Sequence, residues 1–223
     1  MRELWVEKYR PTNITDYVFR DEKQRNQVSN WVKSGAIPHL LFSGGAGTGK
    51  TTLAKVLLNE LNVDAGDIMI INASNENNVD TMRTKIQGFA SSFPFSGEFK
   101  YVLLDEADYL SQNAQAILRN MMETYSQTCR FILTCNYPNK VIPAIHSRCQ
   151  GYHIEKLDQT EFTVRVATIL LTEETEFVPE DLDIYVKSTY PDLRKCINMV
   201  QQNIVENKLQ QPGAGESGES DGR

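Results

Sequence analysis

Gly44-Gly45-Ala46-Gly47-Thr48-Gly49-Lys50-Thr51 places glycines, a lysine and a hydroxyl at the spacing G-x4-G-K-[ST]. Glycines at those positions let successive backbone N–H groups turn toward one point, and a helix opening behind them adds the positive end of its dipole, so the segment cradles a phosphate. Lys50 is placed to reach outer phosphates and the Thr51 hydroxyl to ligate magnesium. The context makes the match meaningful: the apolar run Leu40-Leu41-Phe42 leads in as a strand, and a helix through Leu53 to Leu61 leads out. A glycine-rich turn that merely carries Lys and Thr is disfavoured by that strand and helix.

A phosphate loop binds a nucleotide without hydrolysing it. Tyr101-Val102-Leu103-Leu104-Asp105-Glu106 supplies what is missing, an apolar strand that delivers Asp105 to a magnesium ion and leaves Glu106 beside it to polarise an attacking water. The alternative, two acids that only start a solvated loop, loses ground to the phosphate loop upstream. A third apolar run ends in Leu133-Thr134-Cys135-Asn136, where the Asn136 amide either touches the γ-phosphate or the water, or simply forms the turn before Pro138. Local pattern does not place Arg148, in His146-Ser147-Arg148-Cys149.

These segments need elements to position them. His39 to Ser43, Ile68 to Asn72, Tyr101 to Asp105 and Arg130 to Cys135 are short continuous apolar runs, the pattern of strands covered on both faces. Between them, Val79, Met82, Ile86 and Phe89, then Ala114, Ile117, Leu118, Met121 and Met122, recur at helical spacing. Strands alternating with helices predict an α/β fold with a parallel sheet. Beyond Leu157 the pattern turns wholly helical, through Phe162, Val166, Ile169 and Leu170, then Leu182, Tyr185 and Val186, then Leu193, Ile197, Val200 and Ile204. The expected organisation is therefore a P-loop ATPase domain over 1–156, a small all-helical lid over 157–209, and a disordered Gly/Ser/Glu tail over 210–223.

The chain has 223 residues, 40% hydrophobic and 23% charged, with a formal net charge of -6. No apolar run approaches the roughly 20 residues of a membrane span, and the first residues have no apolar signal core, so a cytosolic protein is expected. The acidic balance argues against a surface that coats nucleic acid and confines any polyanion contact to a local track. Cys129, Cys135, Cys149 and Cys196 form no close Cys-x2-4-Cys pair and read as buried reduced thiols.

Trp5-Val6-Glu7-Lys8-Tyr9-Arg10-Pro11, Ile37-Pro38-His39-Leu40-Leu41-Phe42, Asp105-Glu106-Ala107-Asp108, Cys129 to Asn136 and Ser147-Arg148-Cys149 closely resemble the small ATPase subunits of sliding-clamp loaders, the replication factor C type of AAA+ ATPase found in cells and in tailed phages. The resemblance runs from about Leu4 to Val205. It implies that Tyr9, Arg10 and Pro11 line an adenine pocket, and that Gly44, Gly45, Ala46, Gly47, Thr48, Gly49, Lys50, Thr51 and Thr52 contact ATP. Magnesium falls to Thr51 and Asp105. Asn136 becomes a first sensor, Arg194 a second, and Arg148 an arginine finger offered to ATP on a neighbouring subunit. Glu106, Asn136, Lys50 and the finger form the catalytic set.

By the same resemblance, the starts of two helices, one near Asn77 carrying Arg83 and Lys85 and one at Ser111 carrying Arg119, track DNA. Helix N-terminal amides bind phosphate without net positive charge, which reconciles an acidic chain with DNA. Expected partners are other clamp-loader subunits, the sliding clamp, primer-template DNA and ATP, with no membrane. The phosphate loop departs from the Gly-Pro-Pro-Gly usual in cellular relatives, and the family's third helical collar domain is expected to be missing. A helicase or a non-hydrolysing scaffold subunit is the rival reading; the first needs two sheet domains, and the second sits poorly with Lys50, Thr51, Asp105, Glu106, Asn136 and Arg194 together.

Overall fold

A computed structural model describes residues 3–75 and 79–213. In chain order the elements are α1 (Trp5–Lys8), α2 (Glu22–Ser34), β1 (Leu40–Gly44), α3 (Lys50–Glu60), β2 (Ile68–Asn72), α4 (Val79–Ala90), β3 (Lys100–Asp105), α5 (Gln112–Thr124), β4 (Cys129–Cys135), α6 (Pro143–His146), β5 (Gln150–Ile154), α7 (Gln159–Thr172), α8 (Pro179–Thr189), α9 (Leu193–Gln202), β6 (Ile204–Val205) and β7 (Lys208–Leu209). Contacts divide the chain into two compact units, Met1–Arg25 with Ala46–Gly49 and Glu155–Arg223, and Asn26–Gly45 with Lys50–Ile154. A sequence boundary at 156/157 does not anticipate that grouping, because long-range bonds decide it: the Trp5 N–H donates to Gln201 Oε1 at 2.9 Å, and Gln201 Nε2 donates back to the Glu3 carbonyl at 2.9 Å.

The second unit holds a five-stranded parallel sheet in the order β2-β3-β4-β1-β5. The central strands β1, β3 and β4 are almost wholly buried, as continuous apolar runs require when both faces are covered. Met82, Ile86 and Ala90 of α4 and Ala114, Leu118, Met121 and Met122 of α5 join Leu41, Val102, Leu104, Phe131 and Leu133 in one core cluster. The edge strand β5 has no continuous apolar run, since Gln150, Gly151 and His153 are exposed and only Tyr152 and Ile154 are buried; the sequence pattern therefore missed it.

His39 lies just before β1 rather than in it, and its Nδ1 accepts the Phe131 N–H at 3.1 Å. Burial first, and the Arg130 guanidinium second, push the imidazole pKa down to about 4. The unfolded chain therefore binds a proton that the fold refuses, so stability is full above about pH 6.5 and falls as the pH drops toward 4. We expect a loss of about 2 kcal/mol between pH 7 and 4 from this group, discounted for its partial exposure. Thermal melts across that range should show it, and His39→Asn, which keeps an acceptor but no titration, should flatten that part of the profile; an unchanged slope would refute the assignment.

In the first unit, Phe162, Val166, Ile169 and Leu170 of α7, Leu182, Tyr185 and Val186 of α8, and Cys196, Ile197 and Val200 of α9 are buried, the faces their spacing predicts. The expected helical run through Ile204 and the all-helical lid need correction. The last helix stops at Gln202, and Ile204–Val205 pairs antiparallel with Lys208–Leu209 around Glu206 and Asn207, both at positive φ (50° and 58°). Two left-handed residues make the tight hairpin turn whose twist suits antiparallel strands, and Asn tolerates that conformation well. The expected disorder from 210 onward does not begin at Gln210, whose N–H donates to the Asn203 carbonyl and whose carbonyl accepts from Tyr185 Oη, each at 2.9 Å. The rest of that expectation, from 214, lies outside the described residues, as does the helix start near Asn77. No described helix is long and apolar enough to cross a membrane.

Candidate functional site

Sheet order builds the site in the second unit. Strand β4 runs between β1 and β3, with Ser43 level with Cys135 and Leu104 level with Leu133, so the carboxyl ends of three strands stand side by side. Ligands of open α/β sheets bind at such strand ends. The phosphate loop leaves β1 there, Asp105 ends β3 and Asn136 follows β4.

Thr51, in the first turn of α3, donates its hydroxyl to Asp105 Oδ1 at 2.6 Å. Thr134, a buried residue of β4, also donates its hydroxyl to Asp105 Oδ1 and accepts the Glu106 N–H at 3.0 Å. One hydroxyl thus joins the two acids. Nothing in the local sequence signals Thr134, because its importance comes from which strand lies beside β3. Glu106 is left-handed, with φ 58° and ψ 45°. That conformation costs a non-glycine residue roughly 1–2 kcal/mol and persists where surrounding bonds over-determine it. Here the bond to Thr134 and the Tyr109 N–H donating to the Glu106 carbonyl at 3.0 Å hold it.

Lys50 is buried to 8% exposure, and its ammonium donates to the Gly45 carbonyl at 2.6 Å, so the charge stays on the loop it would use to bind phosphate. The loop needs its glycines. A Cβ on Gly44 would lie 2.3 Å from the Ile154 carbonyl oxygen, a backbone atom that cannot yield. Gly47 has φ +70°, and a Cβ there would lie 1.8 Å from Asp192 Oδ1 in the first unit. Asp192 also caps α9 by accepting the Lys195 N–H at 2.9 Å, and Tyr17 donates its hydroxyl to the Gly49 carbonyl at 3.1 Å. Local sequence does not predict either contact, because each joins segments far apart in the chain. Ala46 and Thr48 complete the loop in the same unit, and Thr52 sits beside Thr51 in α3.

Tyr9, Arg10, Pro11 and Arg194 belong to the first unit. The Tyr9 hydroxyl donates to Glu173 Oε1 at 2.5 Å, its carbonyl accepts from Arg165 at 2.8 Å, and Arg10 pairs with Glu7 at 2.9 Å. Arg194 lies in the first turn of α9 and is exposed. A cavity of about 380 Å³ in that unit is lined by Tyr17, Val18, Arg25, Glu161 and Arg165 among others, and not by Tyr9, Arg10 or Pro11.

Arg148 follows α6, where its Nη1 donates to the Ala144 carbonyl at 2.7 Å and its Nη2 to Glu123 Oε1 of α5. That guanidinium holds the Glu123 carboxyl below its ordinary pKa. Of the residues expected on DNA, Arg83 and Lys85 are exposed on α4, and Arg119 of α5 donates to Asn120 Oδ1 at 2.7 Å.

A family model for the ATPase family associated with various cellular activities (AAA) matches residues 40–157, the stretch that carries this site. The chain belongs to the AAA family. This AAA chain is 42% identical over 201 residues to the replication factor C small subunit of Methanoregula boonei, covering 89% of the chain and 62% of that protein. It is 38% identical over 211 residues to the replication factor C small subunit of Methanococcus vannielii, covering 93% of the chain and 67% of that protein. The chain thus spans about 62% of the length of several curated relatives that it matches. Among solved structures it is similar to the Thermotoga maritima RuvB Holliday junction branch migration motor, with a TM-score of 0.75 and 15% identity over 91% of this chain and 70% of that one, a likeness of fold.

Proposed function

We propose that this AAA chain is an ATPase subunit of a sliding-clamp loader, which hydrolyses ATP to ADP and phosphate while opening the polymerase processivity clamp and placing it on primer-template DNA. The observation that carries the catalytic half is the bond group Thr51–Asp105–Thr134–Glu106 at the strand ends. A hydroxyl and a carboxylate oxygen 2.6 Å apart are hard donors, the small set that magnesium takes from protein when phosphates and waters fill the rest. Thr51 and Asp105 would hold that ion, and the chemistry it supplies when bound is neutralisation of phosphate charge.

The chain's own residues then divide the work. The loop amides of Gly44 to Thr52 hold the phosphates, and Lys50 leaves the Gly45 carbonyl to place its charge on the outer ones. Glu106 orients the water, and Asn136 fixes the γ-phosphate or that water. Arg148 acts on the ATP of a neighbouring subunit, Arg194 is the second sensor, and Tyr9, Arg10 and Pro11 take the base. Arg83, Lys85 and Arg119 meet the DNA backbone. Similarity to the replication factor C small subunits supports the partners: other loader subunits, the clamp and primer-template DNA.

An ATPase assay on the purified chain with its loader partners, with and without clamp and primed DNA, tests the reading. We expect turnover raised by both ligands together. Strand separation would point to a helicase instead, and an absence of turnover to a scaffold subunit.

A further inference from the structure

Asp108 ends the run Asp105-Glu106-Ala107-Asp108, and the roles proposed for Asp105 and Glu106 leave it without one. It lies in the 3-10 turn Ala107–Tyr109, directly after the left-handed Glu106, and is only 8% exposed. Its Oδ2 accepts two backbone N–H groups from across the sheet, those of Asn136 at 3.3 Å and Tyr137 at 3.1 Å. Its Oδ1 is buried and, among the described residues, has no hydrogen-bond partner.

A buried carboxylate with one oxygen unsatisfied is a poor device for stability, since desolvating a charge is costly unless all of it is bonded. A neutral acceptor would take the same amides with less loss. What the carboxylate achieves is geometric. Thr134 already fastens β4 to the Glu106 amide, and Asp108 fastens the two backbone amides directly after β4, those of Asn136 and Tyr137, to the turn that Glu106 opens. Asn136 is thereby tied at its own N–H to the segment that carries Glu106.

We propose that Asp108 is a positioning residue for hydrolysis: it fixes the Asn136 backbone relative to Glu106, so that the Asn136 amide and the Glu106 carboxylate address the same water and γ-phosphate. The inference rests on the roles proposed above for Glu106 and Asn136.

A double-mutant cycle tests it. Asp108→Ala, Asp108→Asn, Asn136→Ala and the double variant Asp108→Ala with Asn136→Ala are compared for kcat, KM, affinity for a fluorescent ATP analogue and melting temperature. Asp108→Ala should lower kcat about tenfold or more with KM and nucleotide affinity within about twofold, because the contact serves the reacting geometry rather than binding. Asp108→Asn should recover most of kcat, its carboxamide oxygen accepting the same amides. The double variant should be no slower than Asn136→Ala alone, since two residues acting as one unit do not add.

Multiplying defects would overturn the inference, as would normal turnover in a folded Asp108→Ala. A deleterious Asn136→Ala beside a silent Asp108→Ala overturns this inference alone; a silent Asn136→Ala overturns the sensor reading and this one with it. If Asp108→Ala does not fold, Asp108→Ser serves in the cycle, its hydroxyl being too short to meet both amides.

Discussion

Glu106→Gln should bind ATP as tightly as the parent chain and hydrolyse it about a hundredfold or more slowly. The substitution keeps the size of the side chain and leaves Thr51 and Asp105 bonded at 2.6 Å, so the residues proposed to hold phosphate and magnesium are untouched. It also keeps the Glu106 N–H that Thr134 accepts at 3.0 Å, so the left-handed turn survives. What disappears is the carboxylate proposed to accept from the attacking water, and removing a general base costs about two to four orders of magnitude. Single-turnover kinetics with separately measured nucleotide affinity check this. Hydrolysis at the parent rate would mean that Glu106 does not orient the water.

The second large effect belongs to Arg148. If its guanidinium serves a neighbour's ATP, Arg148→Ala should leave the subunit's own nucleotide affinity nearly intact and abolish the extra turnover that assembly, clamp and primed DNA produce. An arginine finger in trans is worth three to five orders of magnitude in some enzymes, because its charge meets the developing phosphoryl charge only in the docked complex. Within one chain the guanidinium is already engaged by Glu123 and the Ala144 carbonyl, so docking has to exchange those bonds for phosphate oxygens. Mixing supplies the sharper check. Arg148→Ala subunits combined with Lys50→Ala subunits should recover some activity, since one interface then joins an intact finger to an intact phosphate loop. Reduced ATP affinity of the isolated Arg148→Ala chain would place Arg148 in cis, and no recovery despite demonstrated assembly would discard the shared site.

The sequence by itself determined what is local. The loop Gly44 to Thr51, the acids Asp105 and Glu106, and the apolar runs that became β1 to β4 are legible because motif spacing and runs of apolar residues both act over neighbouring positions, although β2, expected to be covered on both faces, lies at the sheet edge with only Ile71 buried. The buried faces of α4, α5 and α7 to α9 follow from the same rule. Tertiary structure alone decided that β4 lies between β1 and β3, and with that order came Thr134 between Asp105 and Glu106. It also brought Asp108 to the Asn136 and Tyr137 amides, 28 and 29 residues along the chain, and the Asp192 carboxylate to Gly47. The edge strand β5 and the hairpin at Ile204–Leu209 escaped because a half-exposed strand and a two-residue ladder carry too few apolar positions to show a period. The grouping of Trp5 with Gln201 escaped for a related reason. A hydrogen bond between distant segments is fixed by which elements become neighbours, and it leaves no periodic mark on the residues that make it.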